Sequence, residues 1–459
     1  MKKILLLNPP IFNKKKFIRS GYCNSISKGG YYWQPIDLAA QSGILKNNFE
    51  IEILDATAEG LDEKKTIKII CDKYPDIKNL FFITSLASKD YDFDFIQKLN
   101  NIINYEKILV SAGYLLFDNS SAFRYVDGVL LDYTSYETLI FFSNGKNEKY
   151  NTISTNNNTI NINYANKTAA SFFEYGVPLH KKFPLNKYYM PNSKKLPMVN
   201  IITNLGCPYK CDFCTWSNLK YRQRKINNVI AELKYLNENN IYEIMFIDPT
   251  FGANKKYTFE LLNAIIKEKI KIGYSIECRI NLIDEEFVNL LHKTGCHSIT
   301  FGLESGNDEI LKNIGKGFTV NDIKQAFQLC HKYKIKPTGH FIIGLPGETK
   351  KTVANTIKLA KEIDCDYASF NIFMPLPGTE IYKKNNCKLN TCGDTEKPII
   401  NLTNLSDKEI YDLSRTAFKS FYLRPSYILK RIICLMNLTQ LKILFKEALF
   451  FLKRILMDH

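Results

Sequence analysis

Three cysteines stand close together, Cys207, Cys211 and Cys214, in the segment TNLGCPYKCDFCTW. Their spacing is C-x3-C-x2-C. Three thiolates are one short of the set that fills a [4Fe–4S] cluster, so one iron would keep an open position for an outside ligand. Open coordination is what a catalytic metal site needs and a structural one avoids. Zinc is the rival ligand reading, but it wants a fourth Cys or His a few residues away, and none follows. Three unrelated buried cysteines are the bland alternative. The loop argues against it: Gly206 and Pro208 make a turn, and Phe213 precedes the last thiol.

Further residues that can do chemistry recur just after apolar runs. FIDPTFGAN carries Asp248, an anion that can face an ammonium; a turn or cap role competes. IECRIN carries Glu277 and Arg279. An arginine there can grip a carboxylate with two parallel bonds, and a surface salt bridge is the competing reading. FGLESG carries Gly302 and Gly306, which permit close backbone approach, and Glu304, which can accept from hydroxyls. FIIGLPGET carries Ile343 and Gly344, and Gly347-Glu348 open the next helix.

C-x3-C-x-aromatic-C after a strand resembles the radical S-adenosylmethionine (SAM) enzymes, and the later strand ends follow in that family's order. The resemblance covers most of the chain, in the order of the subgroup with an N-terminal cobalamin-binding-type domain. It implies that Cys207, Cys211 and Cys214 hold a [4Fe–4S] cluster whose fourth iron is chelated by SAM. One electron from the cluster then splits SAM, and a 5′-deoxyadenosyl radical abstracts hydrogen from a substrate. It implies Phe213 beside the adenine, Asp248 at the SAM amino group, and Arg279 on the SAM carboxylate with Glu277 next to it. Gly302 and Glu304 fall on the strand that contacts SAM, and Ile343 and Gly344 along the adenine edge. The family's usual second acid is Pro249 here. Methyl transfer to an unactivated carbon is the first reaction implied. Cyclisation or rearrangement without methyl transfer is the enzymatic alternative, and a non-catalytic iron–sulfur sensor or binding module is the other. The implied partners are an electron donor such as flavodoxin or ferredoxin and a small-molecule, lipid or peptide substrate.

The elements that must position these residues are α/β. Residues 1–142 alternate short apolar strands with helices, which predicts a doubly wound, Rossmann-like parallel sheet. Ligands in such sheets bind beyond the carboxyl ends of the strands. That places Asn8, Thr84, Ser85, Leu86 and Gly113 around one crevice, where the resemblance puts cobalamin. No G-x-G-x-x-G follows the first strand, which argues against a nicotinamide dinucleotide. The histidines are His180, His292, His297, His331, His340 and His459, so cobalamin here lacks a histidine ligand from its own domain. A degenerate domain without cofactor is the alternative. Within residues 143–197, 143–170 read as an Asn-rich hairpin or linker, nearly free of core residues, and 171–197 as a proline-bearing connector that packs across both domains. Residues 198–385 give six βα units, a partial (β/α)6 barrel with its active groups at the strands' carboxyl ends. Residues 386–459 read as a small, basic, helical C-terminal region.

The 459 residues allow two or three domains, and 45% hydrophobic with 24% charged is ordinary for a soluble protein. Twelve cysteines without a disulfide pattern fit a reducing cytoplasm. No run approaches the ~20 apolar residues of a membrane span. The net charge of +16 is spread over an Asn- and Lys-rich chain, which points to codon bias and not to nucleic acid. The last segment, QLKILFKEALFFLKRILM, sets Lys442, Lys446 and Lys453 on one helical face. Either it packs on the barrel, or it lies on the inner face of an anionic membrane and brings the site to a lipid-borne substrate.

Overall fold

The computed structural model describes residues 1–19, 25–26, 30–143, 148–387, 400–433 and Leu441. Its first sheet contains β1 (Lys3–Asn8), β2 (Glu50–Asp55), β3 (Asn79–Ile83), β4 (Lys107–Ser111), β5 (Gly128–Leu130) and β6 (Ile153–Ser154). The order is β2-β1-β3-β4-β5-β6, and only β6 runs antiparallel. Ile4, Leu5, Leu6 and Leu7 are all fully buried, as the central strand of a sheet covered on both faces requires. The chain winds one way from β1 to β2 and the other way from β3 on. The crevice of such a sheet opens where that direction reverses, beyond the carboxyl ends of β1 and β3.

The second sheet contains β7 (Met198–Ile201), β8 (Glu243–Phe246), β9 (Gly273–Cys278), β10 (Cys296–Glu304), β11 (Lys336–Ile343) and β12 (Tyr367–Ile372). They lie side by side in chain order, all parallel, with β7 and β12 as the two edges. This is the expected open (β/α)6 barrel. Side chains alternate with the strand period. Ile244, Phe246, Tyr274, Ile276, Phe301 and Phe341 join the core under the helices. Ser275, Glu277, Thr300 and His340 take the opposite parity and face the lumen. Each outer helix presents a matching stripe. Val320–Lys332 buries Ile323, Ala326, Phe327 and Cys330 and starts at a Thr319–Asp322 capping box.

Two expected boundaries move. Residues 143–170 are more than a loose hairpin or linker, and the connector 171–197 packs as expected. Ile153–Ser154 closes the edge of the first sheet, and Phe172–Phe173 pairs with Arg222–Arg224 below the barrel's first loop. Tyr150, Ile153, Ile160, Ile162, Phe173, Tyr175 and Tyr188 all enter the first core. A few large apolar residues hidden among asparagines suffice to anchor the segment. Nor does the barrel end at 385. The helix Asp407–Tyr422 buries Ile410, Ala417 and Phe421 in the barrel core, and Ser414 Oγ donates to Phe370 O at 3.0 Å. The predicted basic tail helix, residues 440–457, lies outside the described residues except for Leu441. Among those described, no helix is long and apolar enough to cross a membrane.

A buried polar chain ties the two sheets. Gln34 lies just before the first helix, and its Oε1 meets His180 Nδ1 at 3.2 Å. His180 Nε2 meets Glu232 Oε1 at 2.8 Å, and the other oxygen of Glu232 accepts from Arg224 Nη1. The guanidinium of Arg224 stacks on Tyr175 at 3.9 Å. Glu232 stays ionised: although burial opposes its charge, Arg224 and His180 hold its carboxyl below the usual range.

Candidate active site

The cysteine loop leaves the carboxyl end of β7. Gly206 turns the chain at φ +75°, and a β-carbon there would stand 2.5 Å from the carbonyl oxygen of Lys220. Only glycine satisfies both demands. The loop is then pinned by its backbone: Cys207 N donates to Trp216 O at 3.2 Å and Cys214 N to Cys211 O at 3.1 Å. Asp212 anchors it laterally, donating to Ile314 O and accepting from Ile381 N. Cys211 is buried, and Cys207 and Cys214 are half-buried. Burial, with the neighbouring Cys211 and Cys207, pushes the Cys214 thiol up to about 12. The Cys214 thiolate is therefore unfavourable here without a cation to take up its charge. Among the described residues, no three Cys, His, Asp or Glu side chains converge on a single ion position. A [4Fe–4S] cluster takes one thiolate per iron, at separate corners.

Above the cysteines sit two cations, only one of them expected. Arg279 Nη1 donates to Cys211 Sγ at 3.0 Å, its Nη2 to Lys316 O, and its Nε to Asn281 Oδ1 at 3.2 Å. Its guanidinium lies 4.2 Å from the centre of the Tyr209 ring. Lys316 was not singled out by the sequence reading. Its buried Nζ pairs with Glu304 Oε1 at 3.0 Å and lies 5.7 Å from the Phe213 ring centre. A lysine between Gly315 and Gly317, both with left-handed φ, was the available signal. Glu304 itself adopts φ +63°, and a β-carbon on Gly302 would stand 2.5 Å from its Oε1. The bare glycine leaves room for the Glu304–Lys316 pair over the strand.

Other expected residues are placed differently. Asp248 is fully buried and bonded to the chain itself. Its Oδ1 accepts from Thr203 N at 2.6 Å and Asn204 N at 3.1 Å; its Oδ2 accepts from Thr203 Oγ1 and from Asn204 Nδ2 at 2.9 Å. Both oxygens are filled, so the carboxylate holds the chain entering the cysteine loop and is not free for a SAM ammonium. Burial pushes it up to about 6 despite those four bonds. Glu277 is half-buried in the lumen, pushed up to about 7 by burial and by the charge of Asp248. Ile343 is fully buried in the outer core, while its neighbour Ile342 and Phe213 each pack against the small cluster that holds Ile310, Ile314 and Leu345. The strand period thus gives the Phe213 side to Ile342 and leaves Ile343 only its backbone. Gly344, at φ +94°, donates its N–H to Glu348 Oε2 at 2.6 Å, and Leu345 N donates to the same oxygen at 3.2 Å.

Burial pushes Glu348 up to about 7. A carboxyl raised on folding contributes stability that is full at low pH and lost as pH rises through its folded value. Glu348→Gln keeps an oxygen for both N–H groups and cannot ionise. Wild-type stability in urea is expected to fall, relative to this variant, by about 3 kcal/mol between pH 4 and pH 8. Parallel profiles for the two proteins would contradict the assignment.

In the first domain the expected crevice residues are largely spent on the protein itself. Asn8 Nδ2 donates to Tyr32 Oη at 2.6 Å and Asp55 Oδ1 at 2.8 Å. Thr84 Oγ1 donates to Asp92 Oδ2 at 2.7 Å, and Ser85 Oγ lies 2.8 Å from Ser88 Oγ. The hub is a buried ion pair, Arg19–Asp92 at 2.7 Å, whose guanidinium also reaches Pro9 O, Pro10 O and Thr57 Oγ1. Asn8, Thr84 and Ser85 shape the crevice through this network. Leu86 is buried and Gly113, half-buried, begins a one-turn helix beyond β4. None of the described histidines lies in this domain.

Residues 201–360 match the radical SAM superfamily. Across nearly its whole length the chain is 30% identical to an uncharacterized methyltransferase of Pyrococcus horikoshii, covering 94% of each protein. The chain belongs to the radical SAM superfamily. It is thus a radical SAM enzyme, and the superfamily's cofactors are a [4Fe–4S] cluster and SAM. Its fold is also that of two solved structures. One is the radical SAM methyltransferase TsrM from Kitasatospora setae with cobalamin and a [4Fe–4S] cluster bound: TM-score 0.65, 16% identity, 81% of this chain and 75% of the other. The second is the cobalamin-dependent radical enzyme OxsB, with aqua-cobalamin and SAM bound: TM-score 0.56, 15% identity. That match covers 92% of this chain and 56% of OxsB, so this radical SAM enzyme spans just over half of OxsB's length.

Proposed function

We propose that this radical SAM enzyme is a cobalamin-dependent methyltransferase acting on an unactivated carbon. The observation that carries the reading is the full-length match to the Pyrococcus methyltransferase in a chain that sets a three-thiol loop beside a flavodoxin-like sheet. Cys207, Cys211 and Cys214 hold the cluster. Phe213 and Ile342 offer an apolar wall for the adenine, and Glu304 accepts from the ribose hydroxyls. When bound, the cluster and SAM supply the one-electron step and the hydrogen-abstracting radical, and cobalamin supplies the methyl carrier. The chain's own residues do the rest. Glu277, Thr300, His340 and Ser369 line the lumen on four neighbouring strands, in register as Glu277–Thr300 and His340–Ser369. They are polar, half-buried and placed to orient a substrate with hydrogen-bonding groups. The apolar barrel wall behind them keeps bulk water out. An electron donor of the flavodoxin or ferredoxin type completes the system.

Protein reconstituted with iron, sulfide and hydroxocobalamin is expected to retain cobalamin through gel filtration with a base-off, His-off spectrum. Incubated with SAM and a strong reductant, it should yield S-adenosylhomocysteine as well as 5′-deoxyadenosine, the former only when cobalamin is present. 5′-Deoxyadenosine alone would favour a cyclisation or rearrangement. Neither product from iron-loaded protein would favour the sensor.

A further inference from the structure

The Arg279 guanidinium is aimed at a cysteine sulfur. Its Nη1 stands 3.0 Å from Cys211 Sγ as donor, and Cys211 is the most buried of the three thiols. The contact is enforced from every side. Nη2 is held by the carbonyl of Lys316, Nε by Asn281, and the flat face by Tyr209. Phe318 stands on another side, 5.8 Å from the guanidinium carbon. A carboxylate gripped bidentately uses two neighbouring nitrogens of the fork. Here all three guanidinium nitrogens are engaged by the protein, through three of the five N–H donors.

We propose that Arg279 is a positioning residue for the electron and not a clamp for the SAM carboxylate. It raises the reduction potential of the cluster by donating a charge-assisted hydrogen bond to the Cys211 thiolate. The proposal rests on the cluster reading above. Its physics is general. Reduction adds negative charge to the iron–sulfur core, so a buried cation donating to one of its sulfurs stabilises the reduced state more than the oxidised one. The Glu304–Lys316 pair beside it adds no net charge.

The test is a potentiometric titration of the SAM-free cluster, followed by the electron paramagnetic resonance of its reduced form. It compares wild type with Arg279→Met and Arg279→Lys. Wild-type protein without iron or without that signal would refute the cluster reading itself. Given the signal, the midpoint of Arg279→Met is expected to move to more negative potential, with Arg279→Lys between. SAM affinity, measured by equilibrium dialysis, should fall less than tenfold. An unchanged midpoint with SAM affinity lost more than tenfold overturns the proposal and restores the carboxylate clamp. Variants that hold no iron are bypassed by a measurement on wild type labelled with guanidinium-15N arginine. Electron–nuclear double resonance of its SAM-free, reduced cluster should show nitrogen coupling, and the absence of coupling overturns the proposal.

Discussion

Cys211→Ala is expected to leave a folded protein that binds no cluster. Reconstituted wild type should carry about four irons per chain and be brown and oxygen-sensitive; the variant should return to background iron and form no 5′-deoxyadenosine. The fold survives because the loop is held by backbone bonds and by glycine geometry, not by the thiol. Cys214 N still donates to residue 211's carbonyl, and Asp212 still bridges Ile314 and Ile381. The local cost is the buried Nη1 of Arg279 left without its sulfur acceptor, about 1–3 kcal/mol. Circular dichroism should therefore be close to wild type. Full iron occupancy in this variant would remove the basis of the functional reading.

Glu232→Ala is expected to destabilise the protein by about 3–5 kcal/mol, the cost of stranding a buried charge. Two groups lose their partner at once. Arg224 keeps Asn228 at 2.6 Å but no anion, and His180 keeps only Gln34. The chain Gln34–His180–Glu232–Arg224 runs from the first sheet's first helix to the barrel's first helix. Its loss should loosen the two sheets relative to each other as well as lower the urea midpoint. Glu238→Ala, an exposed change on the same helix, is the control and should leave the midpoint within error. Equal effects of the two substitutions would show that the buried chain carries no stability.

Much of the fold could be read from the chain because its signals are local. Short apolar runs bounded by turns are strands wherever they are, and six of them separated by amphipathic helices leave few alternatives to an open barrel. The Asn-rich segment misled because composition averages over residues, whereas packing uses individual ones. Tyr150, Ile153 and Ile160 are few, yet each is buried. The helix Asp407–Tyr422 was set apart from the barrel for a similar reason. Its amphipathic stripe says that it packs, but not on which strand.

The site divides along the same line. The sequence alone determined that three thiols share one short loop, that glycines and acids recur at successive strand ends, and that the first domain brings no histidine. Those are statements about residue type and spacing, and they carry the superfamily. Only the tertiary structure decided where the charges point. It closed Asp248 onto Thr203 and Asn204, set Ile342 and Phe213 on one apolar cluster, spent Asn8 and Thr84 on the Arg19–Asp92 network, and set Arg279 against Cys211 with Lys316 beside Glu304. The physical reason is that a side chain's direction depends on strand parity and on which partners come within about 3 Å. Those partners lie 68 residues apart for Arg279 and Cys211 and 45 apart for Thr203 and Asp248, separations that no local pattern in the chain records.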